Sequence, residues 1–189
     1  MPDILNNLKD RWSPRAFADT IPSRDSLACL FEAARWAPSC YNDQPWYFVV
    51  ATRDDRAKYD AMLGCLVEFN QSWASTAPVL MVSVARDRFE RNEEPNRHAW
   101  FDVGLATGNL LAQAQHLGML VHQMAGFDAD QARSTLAIPE HYSPVAAAAI
   151  GYLGAPERLP EGMDEKDPAT RERKSLDEFV FAGRWGERF

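Results

Sequence analysis

The chain reads as a mixed α+β fold on three observations: four short apolar runs of strand character, helical spacing between them, and a polar, proline-rich segment after the last run. Trp46–Ala51 and Pro78–Ala85 are apolar on both faces, as strands covered on both sides are. Met119–Met124 and Val145–Tyr152 supply two further strands. Asp3–Lys9 predicts a short helix. Ser23 caps a better one, in which Leu27, Leu30, Phe31 and Ala34 fall at helical spacing before Pro38 stops it. Asp54–Phe69 predicts helix, His98–Leu117 the longest helix, and another begins near Asp128. Gly104 and Gly108 each cost a helix about 1 kcal/mol against Ala, so their spacing predicts the close approach of another helix, with a subunit interface as one place for it. Arg86–Arg97 is a charged connection that reads as a mobile loop or a helical extension.

With 189 residues and 46% hydrophobic content, the chain can bury one core, which predicts one domain over residues 1–189. A net charge of −7 and a pI near 5.1 disfavour nucleic acid and anionic membrane surfaces as partners. No apolar run approaches the roughly 20 residues of a membrane span, and Met1–Asn6 lacks the basic and apolar regions of a signal peptide, so a cytoplasmic location is expected. Cys29, Cys40 and Cys65 are odd in number and lack Cys-x-x-Cys spacing, which predicts reduced thiols. His98, His116, His122 and His141 stand apart from one another, each reading as a surface or hydrogen-bonded histidine, and no metal is expected.

After Gly154 the segment Ala155–Pro168 is polar and cannot build a core, yet Phe179, Val180, Phe181, Trp185 and Phe189 follow it. Leaving large apolar side chains in water forfeits about 1.5–3 kcal/mol each. Residues 155–189 are therefore expected to form a C-terminal arm that packs on the core or on a partner subunit.

Two segments carry the functional signal. Arg11-Trp12-Ser13-Pro14-Arg15 sets two guanidinium groups around a serine in a proline-broken loop, and guanidinium forks suit phosphates and polar ring edges. Taken alone, such a loop is more often ordinary surface. In Pro38-Ser39-Cys40-Tyr41-Asn42-Asp43-Gln44-Pro45, turn formers alternate with amides just before an apolar strand. Together the two segments suit a phosphorylated planar ligand. Glycine-rich dinucleotide and phosphate loops, the His-Glu-x-x-His zinc motif and Gly-x-Ser-x-Gly are all absent from the sequence. A chain without its own nucleophile or metal suits an enzyme whose cofactor performs the chemistry.

At this separation the two segments resemble the FMN-dependent nitroreductase family, and the resemblance runs through nearly the whole chain. It implies a mainly antiparallel central sheet flanked by helices, FMN as cofactor and NADH or NADPH as reductant. It further implies a small electron-poor acceptor, such as a nitroaromatic or quinone, reduced by a ping-pong mechanism. A homodimer is implied as well, with its sites at the interface and the C-terminal arm embracing the partner.

Residue by residue, the resemblance places Arg11 at the phosphate, Ser13 at phosphate or ribityl oxygens, and Arg15 at the pyrimidine edge, where a cation favours the reduced ring. Pro38 and Ser39 match the segment against the ring, Asn42 and Gln44 the amides beside it, and Asn70 an amide at the ring edge. Met124, Ala125 and Gly126 match a segment whose backbone amides face flavin N5, with Gly126 allowing close approach. Arg171 and Arg173 match residues that return to the phosphate; without the resemblance, this stretch reads as a solvated face. No side chain is assigned a catalytic role, because the chemistry resides at FMN N5.

One position departs from the family pattern. Three positions after Asn70, where several members carry a second basic residue, this chain has Trp73, expected instead to shape the pocket over the ring. Cys40 reads as a small residue filling a tight turn. Relatives of the fold also reduce aldehydes or enones, remove halogen or cleave flavin. A non-catalytic flavin-binding module and a scaffold that binds a partner through its arm are the readings from other classes.

Overall fold

The computed structural model describes residues 3–165 and 170–189. Strands β1 (Trp46–Thr52), β2 (Val79–Arg86), β3 (Leu120–Met124) and β4 (Tyr142–Gly151) form one sheet in the order β1-β2-β4-β3, and every neighbouring pair is antiparallel. Central β2 is buried along nearly its whole length, as its two apolar faces predict. Its neighbour β1 differs from that expectation. It lies at the sheet edge, and Ala51 is its one fully buried residue.

β4 begins at Tyr142, three residues before its apolar run. Ser83 pairs with Ala146 and Val84 with Pro144, so Val145 is the extra residue of a bulge. A proline has no N–H for the ladder and is tolerated at such a bulge, which hides the first turn of the strand from a pattern reading.

Alternation along the strands builds two layers. Leu80, Val82 and Val84, with Ala147 and Ala149, meet Tyr59 and Met62 of α3 (Arg56–Leu63) and Trp73 and Ala74 of α4 (Glu68–Ala74). Val79 and Met81, with Ala148 and Ile150, meet Leu27, Leu30 and Ala34 of α2 (Arg24–Arg35) and Ala106, Leu110 and Ala114 of α5 (Ala99–His116). The two-residue period of the sheet and the 3.6-residue period of the helices thus bury matching faces. The Ser23 side chain accepts from Ser26 N as expected, while α1 (Asn6–Lys9) starts later than the predicted Asp3. Asp128 caps α6 (Ala129–Thr135) by accepting from Asp130 N and Gln131 N.

The helical stretch expected over Asp54–Phe69 is interrupted, α3 filling its middle and α4 starting at its end. Val67 N donates to Gly126 O, Asp128 N donates to Cys65 O, and Leu66 bridges to Phe127. Backbone that pairs with the turn after β3 cannot also continue a helix, so α3 ends before Gly64 and α4 restarts at Glu68. Arg86–Arg97 is neither helical nor loose. Arg88 bridges to Pro95, Phe89 N donates to Glu94 O, and Arg86 pairs with Glu90 and Glu93.

Gly104 and Gly108 face open space: a Cβ built at either meets nothing within 4 Å, so among the described residues no helix uses the gap. The C-terminal segment begins by packing on its own chain, with Leu159 buried in the core that holds Phe17. Leu176, Phe179, Trp185 and Phe189 stay exposed. Residues 166–168 of the proline-rich stretch lie outside the described residues. Among the described residues no helix is long and apolar enough to cross a membrane.

Candidate functional site

The loop that carries Arg11, Ser13 and Arg15 is tied to distant parts of the chain at five places. Glu165 accepts from Arg15 N and Ala16 N, both at 2.7 Å. Thr76 Oγ1 accepts from Phe17 N at 3.3 Å. His122 donates through Nδ1–H to Pro14 O at 2.7 Å, since a carbonyl can only accept. Ala18 N donates to Tyr152 O and Gly154 N to Ala16 O, around a bridge from Phe17 to Leu153. A Cβ on Gly154 would lie 2.4 Å from the carbonyl carbon of Phe17, so this closure requires glycine. Finally, Arg171 donates to Arg11 O and, at 2.8 Å, to Lys9 O.

This tying brings arginines from both ends of the chain together. The Arg11 guanidinium is pushed below its usual pKa, first by burial and then by the positive charges of Arg171 and Arg173. Arg11 donates to Ser13 Oγ at 3.3 Å, and neither Arg11 nor Arg173 forms an ion pair with a described carboxylate. Converging like charges repel, and an anion placed among them converts the repulsion into attraction. Arg15 extends its guanidinium over the Phe69 ring, 5.4 Å from the centroid.

Asn70 and Gly126 also meet. Asn70 Nδ2 donates to Gly126 O at 2.9 Å, and a Cβ on Gly126 would stand 2.5 Å from that nitrogen. The close approach that Gly126 permits within the chain is therefore that of Asn70. Beside it, Met124 is buried in the core and Ala125 is exposed. Trp73 differs from expectation: it is 1% exposed, stacked on His122 at 4.4 Å, and donates to Asn70 Oδ1 at 3.2 Å. It packs into the core rather than over an open pocket.

Pro38, Ser39, Asn42 and Gln44 form a second group, which no hydrogen bond, ion pair or ring contact among the described residues links to the first. Tyr41, Asn42 and Gln44 have φ of 55°, 56° and 51°, a left-handed backbone that non-glycine residues rarely adopt. Buried Asp102 of α5 accepts from Cys40 N at 3.0 Å, Ser39 Oγ from Gln44 N at 3.0 Å, and Asp43 from Glu90 N at 2.9 Å. Arg91 lies 4.1 Å over the exposed Tyr41 ring, at an open cleft of roughly 400 Å³ that Asn42, Gln44 and Glu90 also line.

Sequence reasoning missed Phe69, Thr76, Glu165 and Asp102. Asp102 had a readable signal, since it interrupts the buried stripe of Ala99, Val103, Ala106 and Leu110, and a carboxylate on an apolar stripe calls for a partner. Glu165 had none, being one acid among many in a polar segment.

The sequence profile of the Nitroreductase family matches residues 8–152. The chain belongs to the Nitroreductase family. The matched span holds every candidate residue except Arg171 and Arg173. An uncharacterized 15.4 kDa protein in the ask 5′ region of Mycolicibacterium smegmatis is 33% identical over 145 residues, 74% of this chain and 97% of that protein. A Thermus thermophilus NADH dehydrogenase is 28% identical over 176 residues, 77% of this chain and 83% of that one. Among solved structures, an oxidoreductase containing FMN superposes with a TM-score of 0.87 at 35% identity, covering 99% of this chain and 95% of its own. A nitroreductase family protein of Clostridium difficile, with a TM-score of 0.74 at 18% identity over 97% of this chain and 99% of its own, shares the fold.

Proposed function

We propose that this family member binds FMN and passes reducing equivalents from NADH or NADPH to a small electron-poor acceptor, such as a nitroaromatic or quinone, by a ping-pong mechanism. The chain is an oxidoreductase of the nitroreductase type. One observation carries the cofactor assignment. Arg11, Arg171 and Arg173 converge, and Arg11 and Arg173 pair with no described carboxylate, an arrangement that fits a phosphate. The similarity to an oxidoreductase containing FMN supports the same assignment.

Ser13, beside Arg11, would hold phosphate or ribityl oxygens, and Arg15 the pyrimidine edge. Asn70 and the Met124–Gly126 turn would face the ring, since the Asn70 amide and the Gly126 carbonyl already meet. When bound, FMN supplies the hydride acceptor and donor that no side chain of the chain provides. Glu165 holds the Arg15 and Ala16 amides, which keeps the positive charge of Arg15 in place rather than letting the loop follow solvent.

The site is completed by a second copy of the chain. Pro38, Ser39, Asn42 and Gln44 stand apart from Arg11–Arg15 in one chain, and a homodimer would supply one group from each subunit. Trp100, Phe101, Gly104 and Gly108 line one exposed side of α5 and suit a partner's helix. The exposed Leu176, Phe179, Trp185 and Phe189 suit an arm, residues 155–189 of a single domain, laid on that partner. The cleft beside Asn42 and Gln44 would then admit reductant and acceptor in turn. Unpaired Cys29, Cys40 and Cys65 fit a reducing, cytoplasmic setting.

Purified without added cofactor, the protein should show a flavin spectrum that bleaches anaerobically on addition of NADH or NADPH and returns on addition of a nitroaromatic or quinone. Sedimentation should give a dimer. A colourless protein that takes up no added FMN overturns the cofactor assignment, and stable FMN-loaded monomers overturn the shared site.

A further inference from the structure

Trp73 and His122 stand outside the residues assigned to the cofactor, yet they bond two of the segments that would hold it and reach a third through Asn70. The indole nitrogen has a single polar hydrogen and accepts nothing, so it can bond only the oxygen end of the Asn70 amide, at 3.2 Å. That choice leaves Nδ2 for Gly126 O, at 2.9 Å. With one oxygen lone pair and one N–H engaged, the second Nδ2 hydrogen and the second lone pair are what Asn70 offers a ligand.

His122 packs on the same indole with ring centroids 4.4 Å apart, and its Nδ1–H reaches Pro14 O at 2.7 Å, between Ser13 and Arg15. One aromatic pair thus joins the Arg11–Arg15 loop, the amide on α4 and the turn at Gly126. Trp73 is fully buried, while the bonds of Asn70 and His122 are part-buried, so water replaces a lost partner only in part.

We propose that Trp73 and His122 are positioning residues for the flavin site: Trp73 sets which end of the Asn70 amide faces the ring, and His122 sets the register of the Ser13–Arg15 segment against it. The proposal rests on the FMN reading. Trp73→Phe keeps a buried aromatic ring and removes the N–H together with the rest of the five-membered ring, so its packing loss is read separately in the melting temperature; His122→Phe keeps a stacked ring and removes the bond to Pro14. His122→Asn gives up the ring but returns an amide N–H close to the lost one.

The test measures FMN dissociation constants by quenching of flavin fluorescence, the visible circular dichroism of bound FMN, and the melting temperature of each apoprotein. Wild type is read first. Trp73→Phe and His122→Phe should each weaken FMN binding about three- to ten-fold, the size expected for one part-buried neutral hydrogen bond, and change the visible dichroism. His122→Asn should recover at least half of the affinity lost in His122→Phe. Lower melting temperatures with wild-type dissociation constants and dichroism would reduce the pair to core packing and overturn the proposal. An Asn variant no better than the Phe variant would overturn the role of the Pro14 bond. Wild type that takes up no FMN would instead sink the cofactor reading, an outcome visible before any variant is compared.

Discussion

The two groups of candidate residues are built in opposite ways. The Arg11–Arg15 loop has little regular structure of its own and is held by Thr76, His122, Glu165, Arg171 and the end of β4, reaching across the whole chain. The Ser39–Gln44 turn is held from within through Ser39 Oγ and left-handed backbone at three non-glycine residues, with Asp102, the Glu90 amide and the Asn96 side chain as outside anchors. A loop stitched from many distant points loses its geometry when any one tie goes, whereas a self-closed turn carries its strain with it. The first group should therefore respond to substitutions through ligand affinity, and the second through folding stability and turnover.

The most severe test removes a charge from the stitched loop. Arg11→Ala should weaken FMN binding about ten- to hundred-fold, as the loss of charge-assisted bonds to a phosphate does, with the melting temperature of the apoprotein unchanged or raised because a repulsive charge is gone. Fluorescence titration and thermal denaturation read the two effects separately. An unchanged affinity would mean that the arginines meet for some other anion.

Gly126→Ala comes next. The new methyl would stand 2.5 Å from Asn70 Nδ2, so the amide must move, at a cost of about 1–3 kcal/mol in stability together with weaker FMN binding. Unfolding in urea measures the first and titration the second.

Across the divide, Asp102→Ala leaves the Cys40 amide without its acceptor in a part-buried place, for a loss of about 1–2 kcal/mol. Acceptor turnover should fall more than FMN affinity does. Equal losses of both would erase the distinction between the groups.

The smallest expected effect has the opposite sign. Gln44 holds φ 51°, and its side chain donates to Asn42 O within its own turn. In Gln44→Gly, relief of left-handed strain of about 1–2 kcal/mol outweighs the added chain entropy of glycine, about 0.5–1 kcal/mol, for a net gain of roughly 0.5 kcal/mol. Denaturant unfolding should show the gain while turnover drops, because an amide assigned to the ring side is lost.

Local chemistry was legible wherever it was contiguous. Ser23 as a cap, the buried character of β2, and the turn-and-amide composition of Pro38–Pro45 all follow from neighbours in sequence. The break between α3 and α4 did not follow, because the residues on either side suit a helix and the competing partner of Val67 is Gly126, in the turn after β3 and far along the chain. Pro144 hid the start of β4 because a proline in a strand is acceptable only once a bulge is known to be there. His122 read correctly as a hydrogen-bonded histidine, but its acceptor, Pro14 O, lies 108 positions away.

By itself the sequence determined the kind of fold, the identity of the two motif segments and the residue types able to grip a phosphate and a planar ring. Those depend on side-chain chemistry and short-range periodicity, which the chain carries wherever it goes. Only the tertiary structure decided that Arg11 lies beside Arg171 and Arg173, which partner each end of the Asn70 amide takes, and that the Pro38–Gln44 group stands apart from Arg15 in one chain. Like charges are not drawn together by their own interaction; the packing of the sheet and its two helical layers forces them into one place, and that energy is distributed over the core rather than written at either arginine.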